Sequence, residues 1–322
     1  MINRNILKGL LAILLASLFS SCVSKAVDKD HITLQNDFLK VMAKTHGAEL
    51  TSIYSDSKKV EYLWQGDSIS WADHAILQFP IVCDLKDGFY KYNNKDYPMM
   101  SHGFARLSIF ETVQSSNTSV TFQLKSSEET KRYYPFDFTY EVCYTLHQNQ
   151  LNVAFKVVNE GEETLYFSSG YHPGFNIPLH QDETFEDYQL TFSKVENLKS
   201  LTLKNGLISD QERDFLNNSS SLSLSKSLFK EDVFIVENPQ SSTIKLSNKN
   251  NTKDSSSIEM TIENVPYLGV WSPSNESPFV CLEPWYGLPD YEDFNQDITN
   301  KKGIKALGAG EVFSWSTTMT FN

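Results

Sequence analysis

The sequence predicts an all-β protein built as a large antiparallel β-sandwich in a single domain. Apolar and polar residues alternate with a period of two, as in 151–157, where Leu151, Val153, Phe155 and Val157 share one face. Asn, Ser and Gly residues separate such segments, which is typical of antiparallel strands joined by turns. No long amphipathic helix and no internal repeat is evident.

The same alternation predicts strands over 118–125, 138–146, 151–157, 257–262 and 312–321. Two polar, low-complexity segments, 216–227 and 247–257, are predicted to be loops or hairpin tips. No composition shift marks a domain boundary after residue 31. Residues 31–322 are therefore expected to form one β domain, which a two-sheet supersandwich of this size accommodates.

The net charge of the 322-residue chain is −12, and this argues against a nucleic-acid partner. A surface that binds phosphates needs clustered Lys and Arg, which the sequence lacks. The acidic residues are dispersed along the chain, so they indicate solubility more than a particular partner.

Residues 1–22 resemble a bacterial lipoprotein export signal. Two cationic residues precede the apolar stretch 9–19, which is too short for a comfortable membrane span, and small residues then lead to Cys22. We expect lipidation of Cys22, a tether over 23–30, and an exported protein whose only membrane contact is this lipid anchor in the cell envelope. The alternative is an ordinary cleaved signal that happens to end near a cysteine.

Three further cysteines, Cys83, Cys143 and Cys281, lack the spacing of a metal site. Cys143 and Cys281 lie in strand-like runs and are expected to be small buried side chains. An odd number of cysteines leaves at least one thiol free, so no disulfide framework is predicted.

Glu283 follows the apolar run 279–282, which predicts a carboxylate at the end of a buried strand, with Pro284 ending the ladder. Loss of water would raise the pKa of this carboxyl toward that of a general base. Trp285 and Tyr286 offer aromatic platforms for the apolar face of a sugar ring. The alternative is a strand-end glutamate held in a salt bridge.

Two histidines stand in similar surroundings: His102 in HGFAR (102–106) and His172 in SSGYHPGFNIPL (168–179). A lone histidine is more often a structural hydrogen-bonding residue than a catalyst. Two histidines and a glutamate, each beside glycine, proline or aromatic residues, favour a shared site. Tyr171 and Pro173 restrict the backbone of His172, as a residue that must be aimed requires.

Three motifs together resemble the aldose 1-epimerase (galactose mutarotase) family, and the similarity is greatest to its divergent branch. They are HGFAR (102–106), GYHPGFN (170–176) and CLEPWYG (281–287). The segments GAEL (47–50), EYLWQGD (61–67), FPIV (79–82), LKDGFY (85–90) and VPYLGVWS (265–272) fit the same branch. The resemblance runs from about Asp37 to the C-terminus, and it rests on the number and order of the motifs.

The resemblance implies a galactose mutarotase-like β-supersandwich that interconverts the α and β anomers of free aldoses. It assigns the general base to Glu283, the general acid to His172, binding near the ring oxygen to His102, and contacts with sugar hydroxyls to Asp232. Two proton transfers open the ring, rotation about C1–C2 follows, and the ring closes again. Each transfer contributes on the order of 10²–10⁴-fold. This chemistry implies a small-molecule sugar as partner and requires no metal and no redox cofactor.

One position departs from the family pattern. A glycine and an arginine are expected after FPIV, and this sequence has Cys83 and Asp84 there. Arg106 either replaces the lost donor as a substrate-binding residue or forms a structural salt bridge. The segment 73–78 offers no arginine for a phosphate pocket. Together with Asp84 and export, this disfavours a hexose-6-phosphate 1-epimerase.

Two functions from different classes stay open at this point. One is an aldose 1-epimerase, which the presence of His102, His172 and Glu283 favours. The other is a non-catalytic carbohydrate-binding β-sandwich, and the Asp84 departure is its main support.

Overall fold

The computed structural model describes residues 30–250, 256–273 and 277–322, and in these ranges strands predominate. Cys22 and almost all of the expected tether lie outside the described residues. Within the described part, no helix is both long and apolar enough to cross a membrane.

The strands of the described ranges are β1 (His31–Gln35), β2 (Lys40–Lys44), β3 (Leu50–Ser55), β4 (Val60–Glu61), β5 (Ala75–Gln78), β6 (Phe89–Tyr92), β7 (Lys95–Pro98), β8 (Glu111–Ser115), β9 (Ser119–Lys125), β10 (Phe138–His147), β11 (Gln150–Asn159), β12 (Leu165–Phe167), β13 (Ser169–Asn176), β14 (Tyr188–Lys204), β15 (Leu207–Ser223), β16 (Phe234–Glu237), β17 (Thr243–Asn248), β18 (Ser257–Thr261), β19 (Tyr267–Trp271), β20 (Phe279–Tyr286), β21 (Lys305–Leu307) and β22 (Val312–Phe321). Short 3₁₀ turns occur at Lys86–Gly88, Ala105–Leu107, Thr130–Arg132, Phe185–Asp187, Lys226–Glu231 and Ile298–Asn300. All five strands predicted from alternation are confirmed, as β9, β10, β11, β18 and β22.

Among the described residues, fourteen strands form one large antiparallel sheet. Its order is β5-β13-β20-β19-β16-β14-β17-β18-β22-β11-β10-β9-β8, with β15 paired to β14. Strands β1 to β4 form a separate four-stranded sheet, and β6-β7 and β12-β21 form two-stranded pairs. The all-β prediction is confirmed.

Part of the core lies between the four-stranded sheet and the large sheet, and part lies where the large sheet packs on itself, as where Phe155 of β11 meets Tyr171 of β13 with ring centroids 5.7 Å apart. Tyr144 of β10 donates its hydroxyl proton to the carbonyl of Ala48, just before β3, over 2.7 Å. Tyr62, which follows β4, packs on Phe321 of β22 with ring centroids 4.9 Å apart. Both tyrosines are fully buried, so the four-stranded sheet is packed against the large sheet.

The prediction of a loop or hairpin tip over 216–227 is wrong for most of that segment. Residues up to Ser223 belong to β15, which pairs with β14 through Leu198–Leu216 and Leu190–Leu222. The serines and asparagines of β15 lie mostly on its exposed face, so their composition resembled that of a loop. In the second segment, β17 ends at Asn248 and β18 begins at Ser257, and residues 251–255 lie outside the described ranges.

Candidate active site

His172 and Glu283 lie on the neighbouring strands β13 and β20. Ladder pairs Gly170–Trp285 and Gly174–Cys281 flank a gap in the pairing, and the register on both sides of the gap sets His172 opposite Glu283. The residues that follow them in sequence, Pro173 and Pro284, carry no backbone N–H, and this removes two donors from the gap. The two side chains therefore meet where the sheet is locally unpaired.

The expectation that Pro284 ends its ladder is wrong. Strand β20 continues to Tyr286, and Leu268 and Tyr267 of β19 pair with Pro284 and Trp285. A proline is tolerated inside this central strand because its missing N–H falls in the gap toward β13 rather than toward β19. Glu283 accordingly lies within a strand and not at its end.

The imidazole Nε2 of His172 lies 3.2 Å from Oε2 of Glu283, and both side chains are almost fully buried. Burial raises the pKa of the Glu283 carboxyl well above its usual value, and the negative charge of Asp232 adds to the increase. Burial, and then the nearby His102, lowers the pKa of the His172 imidazole well below its usual value. Such a pair holds one proton between its two members over a wide range of pH.

His102 lies in a turn at the edge of the same site. Its φ is 63° and that of Gly103 is 72°, so two successive residues occupy the left-handed region. A Cβ on Gly103 would lie 2.3 Å from the carbonyl oxygen of Phe79, so only glycine fits there. The imidazole of His102 stands edge-on to that of His172, with ring centroids 5.5 Å apart.

The predicted residues His102, His172, Asp232, Glu283 and Trp285 line one cavity of about 210 Å³. This lies below the roughly 300–1,000 Å³ typical of pockets for drug-sized ligands, and it suits a small polar molecule. Sequence reasoning thus placed residues from distant motifs in a single site.

Asp84 and Asp232 reach the cavity from two loops. Asp232 has a φ of 68° and follows the turn Lys226–Glu231. Asp84 lies against Gly206, where a Cβ would be 2.5 Å from Oδ2 of Asp84. The lining residues include Asp84, Asp232 and Glu283 but no Lys or Arg among those that the structure describes, so the cavity is acidic.

Two aromatic lining residues were not singled out from the sequence. Trp71 lies over His172 with ring centroids 4.8 Å apart, and Trp271 of β19 approaches the same imidazole at 5.8 Å. The indole N–H of Trp64 donates to the carbonyl of Trp71 over 2.8 Å and fixes this loop. The one sequence feature that could have identified Trp71 as a site residue is the presence of a tryptophan in a polar segment.

Arg106 and Tyr286 lie outside the cavity lining. The guanidinium of Arg106 lies 3.6 Å from Oδ2 of Asp73, and this arrangement favours the structural salt bridge over the substrate-binding role. Tyr286 packs on Trp315 and donates its hydroxyl proton to the carbonyl of Asn264, so it is no platform for a ligand of this cavity.

Cys83, Cys143 and Cys281 are free thiols. The Sγ of Cys281 lies with ligand atoms of His172 and Glu283 in a group whose members are within 4.8 Å of one another. Among the residues that the structure describes, these three side chains form a group of potential ligands close enough together to hold a soft divalent ion. Cys281 itself packs in an apolar cluster with Trp64 and Phe279, and burial raises the pKa of its thiol well above the usual value.

Comparisons with known proteins agree with this fold. A sequence model of the family described as aldose 1-epimerase matches residues 30–305. The chromosomal LacX protein of Lactococcus lactis subsp. lactis is 38% identical over 267 residues, covering 80% of this chain and 88% of LacX.

Solved structures give the same result. A galactose mutarotase related enzyme from Lactobacillus acidophilus is 34% identical, with a TM-score of 0.86 over 91% of this chain and 97% of that one. A galactose mutarotase-like protein from Lactobacillus casei is 30% identical, with a TM-score of 0.85 over 91% of this chain and 100% of that one.

The fold is therefore a galactose mutarotase-like β-sandwich that carries a buried histidine–glutamate pair in a small acidic cavity. The chain belongs to the aldose 1-epimerase family.

Proposed function

We propose that this protein is an aldose 1-epimerase that interconverts the α and β anomers of free, neutral aldoses. The observation that carries the proposal is the buried contact between His172 and Glu283, 3.2 Å apart in a cavity of sugar-like size. Family membership supports an isomerase that acts on carbohydrates.

The reaction uses two protonation states of the His172–Glu283 pair, which differ in which of the two residues carries the proton. In the reactive form, Glu283 is a carboxylate and His172 an imidazolium. Glu283 takes the proton of the C1 hydroxyl, the C1–O5 bond breaks as the aldehyde forms, and His172 protonates O5. The pair then consists of a carboxylic acid and a neutral imidazole, with the same total charge. Rotation about C1–C2 and the reverse transfers close the ring as the other anomer.

The shifted pKa values of Glu283 and His172 support this exchange of protons. Burial disfavours the two separate charges, which raises the pKa of Glu283 and lowers that of His172, so the neutral form of the pair is stabilised. Each charged group nevertheless has its counter-ion at 3.2 Å. The two forms are thereby brought closer in free energy, and no proton needs to be exchanged with solvent during the reaction.

The other lining residues fit substrate binding. Trp71, Trp271 and Trp285 present apolar surfaces that suit the C–H faces of a pyranose ring, and Asp232 offers acceptors to its hydroxyls. His102 is a neutral hydrogen-bonding group, because burial and the charge of Arg106 lower its pKa to about 4. We assign it to the ring oxygen.

The acidic lining favours neutral over phosphorylated sugars. Two unit charges about 4 Å apart interact by roughly 4 kcal/mol at an effective dielectric constant of 20, before screening. Asp84 and Asp232 would repel a phosphate, and the described lining contains no Lys or Arg to offset them. A hexose-6-phosphate 1-epimerase is accordingly disfavoured.

A non-catalytic carbohydrate-binding protein is the second candidate. The observation that favours it is Asp84, which lines the cavity where the family pattern has an arginine. Without that donor, the site could hold a sugar and yet stabilise ring opening poorly.

We further propose that the protein is exported and anchored in the cell envelope through a lipid on Cys22. The cationic start, the short apolar stretch and the small residues before Cys22 support this assignment.

Polarimetry tests the proposed activity directly. Freshly dissolved α-glucose and α-galactose relax to their anomeric mixtures at a measurable spontaneous rate. We expect the purified protein to increase this rate in proportion to its concentration. Binding of these sugars without any increase in rate would support the carbohydrate-binding alternative and contradict the enzyme.

A further inference from the structure

Gln78 is a buried polar residue to which neither the sequence motifs nor the proposed mechanism gives a role. It is the last residue of β5 and pairs with Gly170 of β13, two residues before His172. Its side chain is fully buried in the wall behind the cavity. A buried amide needs partners for its polar atoms, so the identity of those partners defines its role.

The amide nitrogen of Gln78 contacts both of the groups assigned to proton chemistry and ring-oxygen binding. Nε2 lies 2.9 Å from Nδ1 of His102 and 3.5 Å from Oε2 of Glu283. An amide NH₂ has two hydrogens and can donate one to each acceptor. The opposite orientation of the amide would set its carbonyl oxygen against the lone pair of Nδ1 of His102, which accepts from the backbone N–H of Cys83 over 3.3 Å, and this is repulsive.

A second donor approaches the same nitrogen of His102. The backbone N–H of Cys83 points to Nδ1 over 3.3 Å. With two donors directed at it, Nδ1 is an acceptor and carries no proton. A neutral imidazole has one N–H, so the proton lies on Nε2, the ring nitrogen left for a ligand.

We propose that Gln78 is a positioning residue that holds His102 in the Nε2–H tautomer and steadies the carboxylate of Glu283. His102 then presents a hydrogen-bond donor to the ring oxygen of the sugar. In the other tautomer it would present a lone pair to an oxygen that has only lone pairs. This inference rests on the proposed function for its catalytic meaning, while the tautomer itself can be observed without any activity.

The backbone opposite Gln78 is shaped for this amide. A Cβ built on Gly170 would lie 2.1 Å from Oε1 of Gln78 and 2.9 Å from Cδ1 of Trp285. Any side chain at residue 170 would therefore displace the amide from its position between His102 and Glu283. The position of the amide therefore explains why the first residue of the GYHPGFN motif is glycine.

Nitrogen-15 NMR of labelled protein tests the proposal, because protonated and unprotonated ring nitrogens differ strongly in chemical shift. The spectrum of His102→Asn assigns the His102 signals. We expect the unmodified protein to show His102 as the Nε2–H tautomer. We expect Gln78→Met, which keeps length and bulk but removes one of the two donors, to weaken this preference, since only the backbone N–H of Cys83 then remains at Nδ1, and to lower kcat roughly ten-fold or more. Gln78→Glu should draw the proton to Nδ1 and lower kcat further.

Gln123→Met is the matched control. Gln123 donates to Glu141 on β10 and lies outside the cavity lining, so this variant should leave the His102 tautomer and kcat unchanged. Gly170→Ala is an independent variant that should reproduce the effects of Gln78→Met on the tautomer and on kcat.

Three results would overturn the proposal. One is an Nδ1–H tautomer of His102 in the unmodified protein, which needs no variant to detect. Another is an unchanged tautomer in folded Gln78→Met or Gly170→Ala. The third is a changed tautomer with unchanged kcat. If the unmodified protein had no mutarotase activity, the proposed function would fail while the tautomer measurement would still decide the structural part.

Discussion

His172 and Glu283 face each other across a gap in the β13–β20 ladder, with Nε2 and Oε2 3.2 Å apart. Each is followed by a proline, so two of the backbone donors that could close this gap are missing. The sheet thereby holds two titratable side chains in contact while it keeps both almost free of solvent.

The contact between His172 and Glu283 predicts how kcat depends on pH. Turnover requires a pair that holds one proton, so it falls when the pair gains a second proton or loses its last one. The lowered pKa of His172 sets the acid limb well below the ordinary histidine value of about 6.5, and the raised pKa of Glu283 sets the alkaline limb well above the ordinary glutamate value of about 4.3. A kcat profile against pH checks this. A rate that appears only as the pH rises above 6.5 would contradict it.

The two histidines should respond differently to removal. His172→Asn should lower kcat on the order of 10²–10⁴-fold, because the proton donor for O5 is gone. His102→Asn should raise KM as well as lower kcat, since His102 is assigned to binding near the ring oxygen. Steady-state rates over a range of sugar concentrations separate the two effects. Unchanged rates in both variants would refute the assignment.

Asp84 should set the preference for uncharged sugars. We expect the unmodified protein to use glucose better than glucose 6-phosphate, and Asp84→Arg to narrow that gap or to raise activity on common hexoses. Even a quarter of the roughly 4 kcal/mol Coulomb interaction changes affinity several-fold.

Polarimetry on both sugars measures the effect of Asp84. Asp56→Arg is the control, because Asp56 is largely exposed in the β3–β4 turn and should leave the preference unchanged. Equal or better use of the phosphate by the unmodified protein would refute the role of Asp84.

Cys22 should decide location. Cys22→Ala should convert a protein that pellets with membranes into a soluble or uncleaved one, whereas Cys143→Ala should pellet like the parent. Fractionation and mass spectrometry of the mature N-terminus measure this. A parent protein found wholly in the soluble fraction, with no lipid on Cys22, would disprove the anchor.

Much of the fold could be predicted from the sequence because alternation is a local property. Strands such as β10 and β11 have one buried and one partly exposed face, so their pattern identifies them without tertiary information. Strand β15 was misjudged because its exposed face is rich in Ser and Asn, and its pairing with β14 is a tertiary contact. The effect of Pro284 was misjudged for a similar reason, since the gap that tolerates it involves a strand about 110 residues earlier.

The residues of the site likewise fall into those that the sequence could identify and those that only tertiary contacts reveal. His102, His172 and Glu283 stand in motifs, so the sequence identified them. Gln78 and Trp71 stand in no recognisable motif, and their roles follow from contacts with residues that are distant in sequence. The salt bridge of Arg106 was weighed against a substrate contact, and the position of Arg106 beside Asp73 and outside the cavity lining favours the salt bridge.

Mutarotation by Glu283→Gln is the most direct test of the proposed mechanism. The amide is nearly isosteric with the carboxylate, so the fold should be kept, as circular dichroism can verify, but the base for the C1 hydroxyl proton is removed. We predict that the unmodified protein accelerates the relaxation of α-glucose or α-galactose and that Glu283→Gln loses on the order of 10²–10⁴-fold of that acceleration. A folded Glu283→Gln variant that matches the unmodified protein would contradict the account.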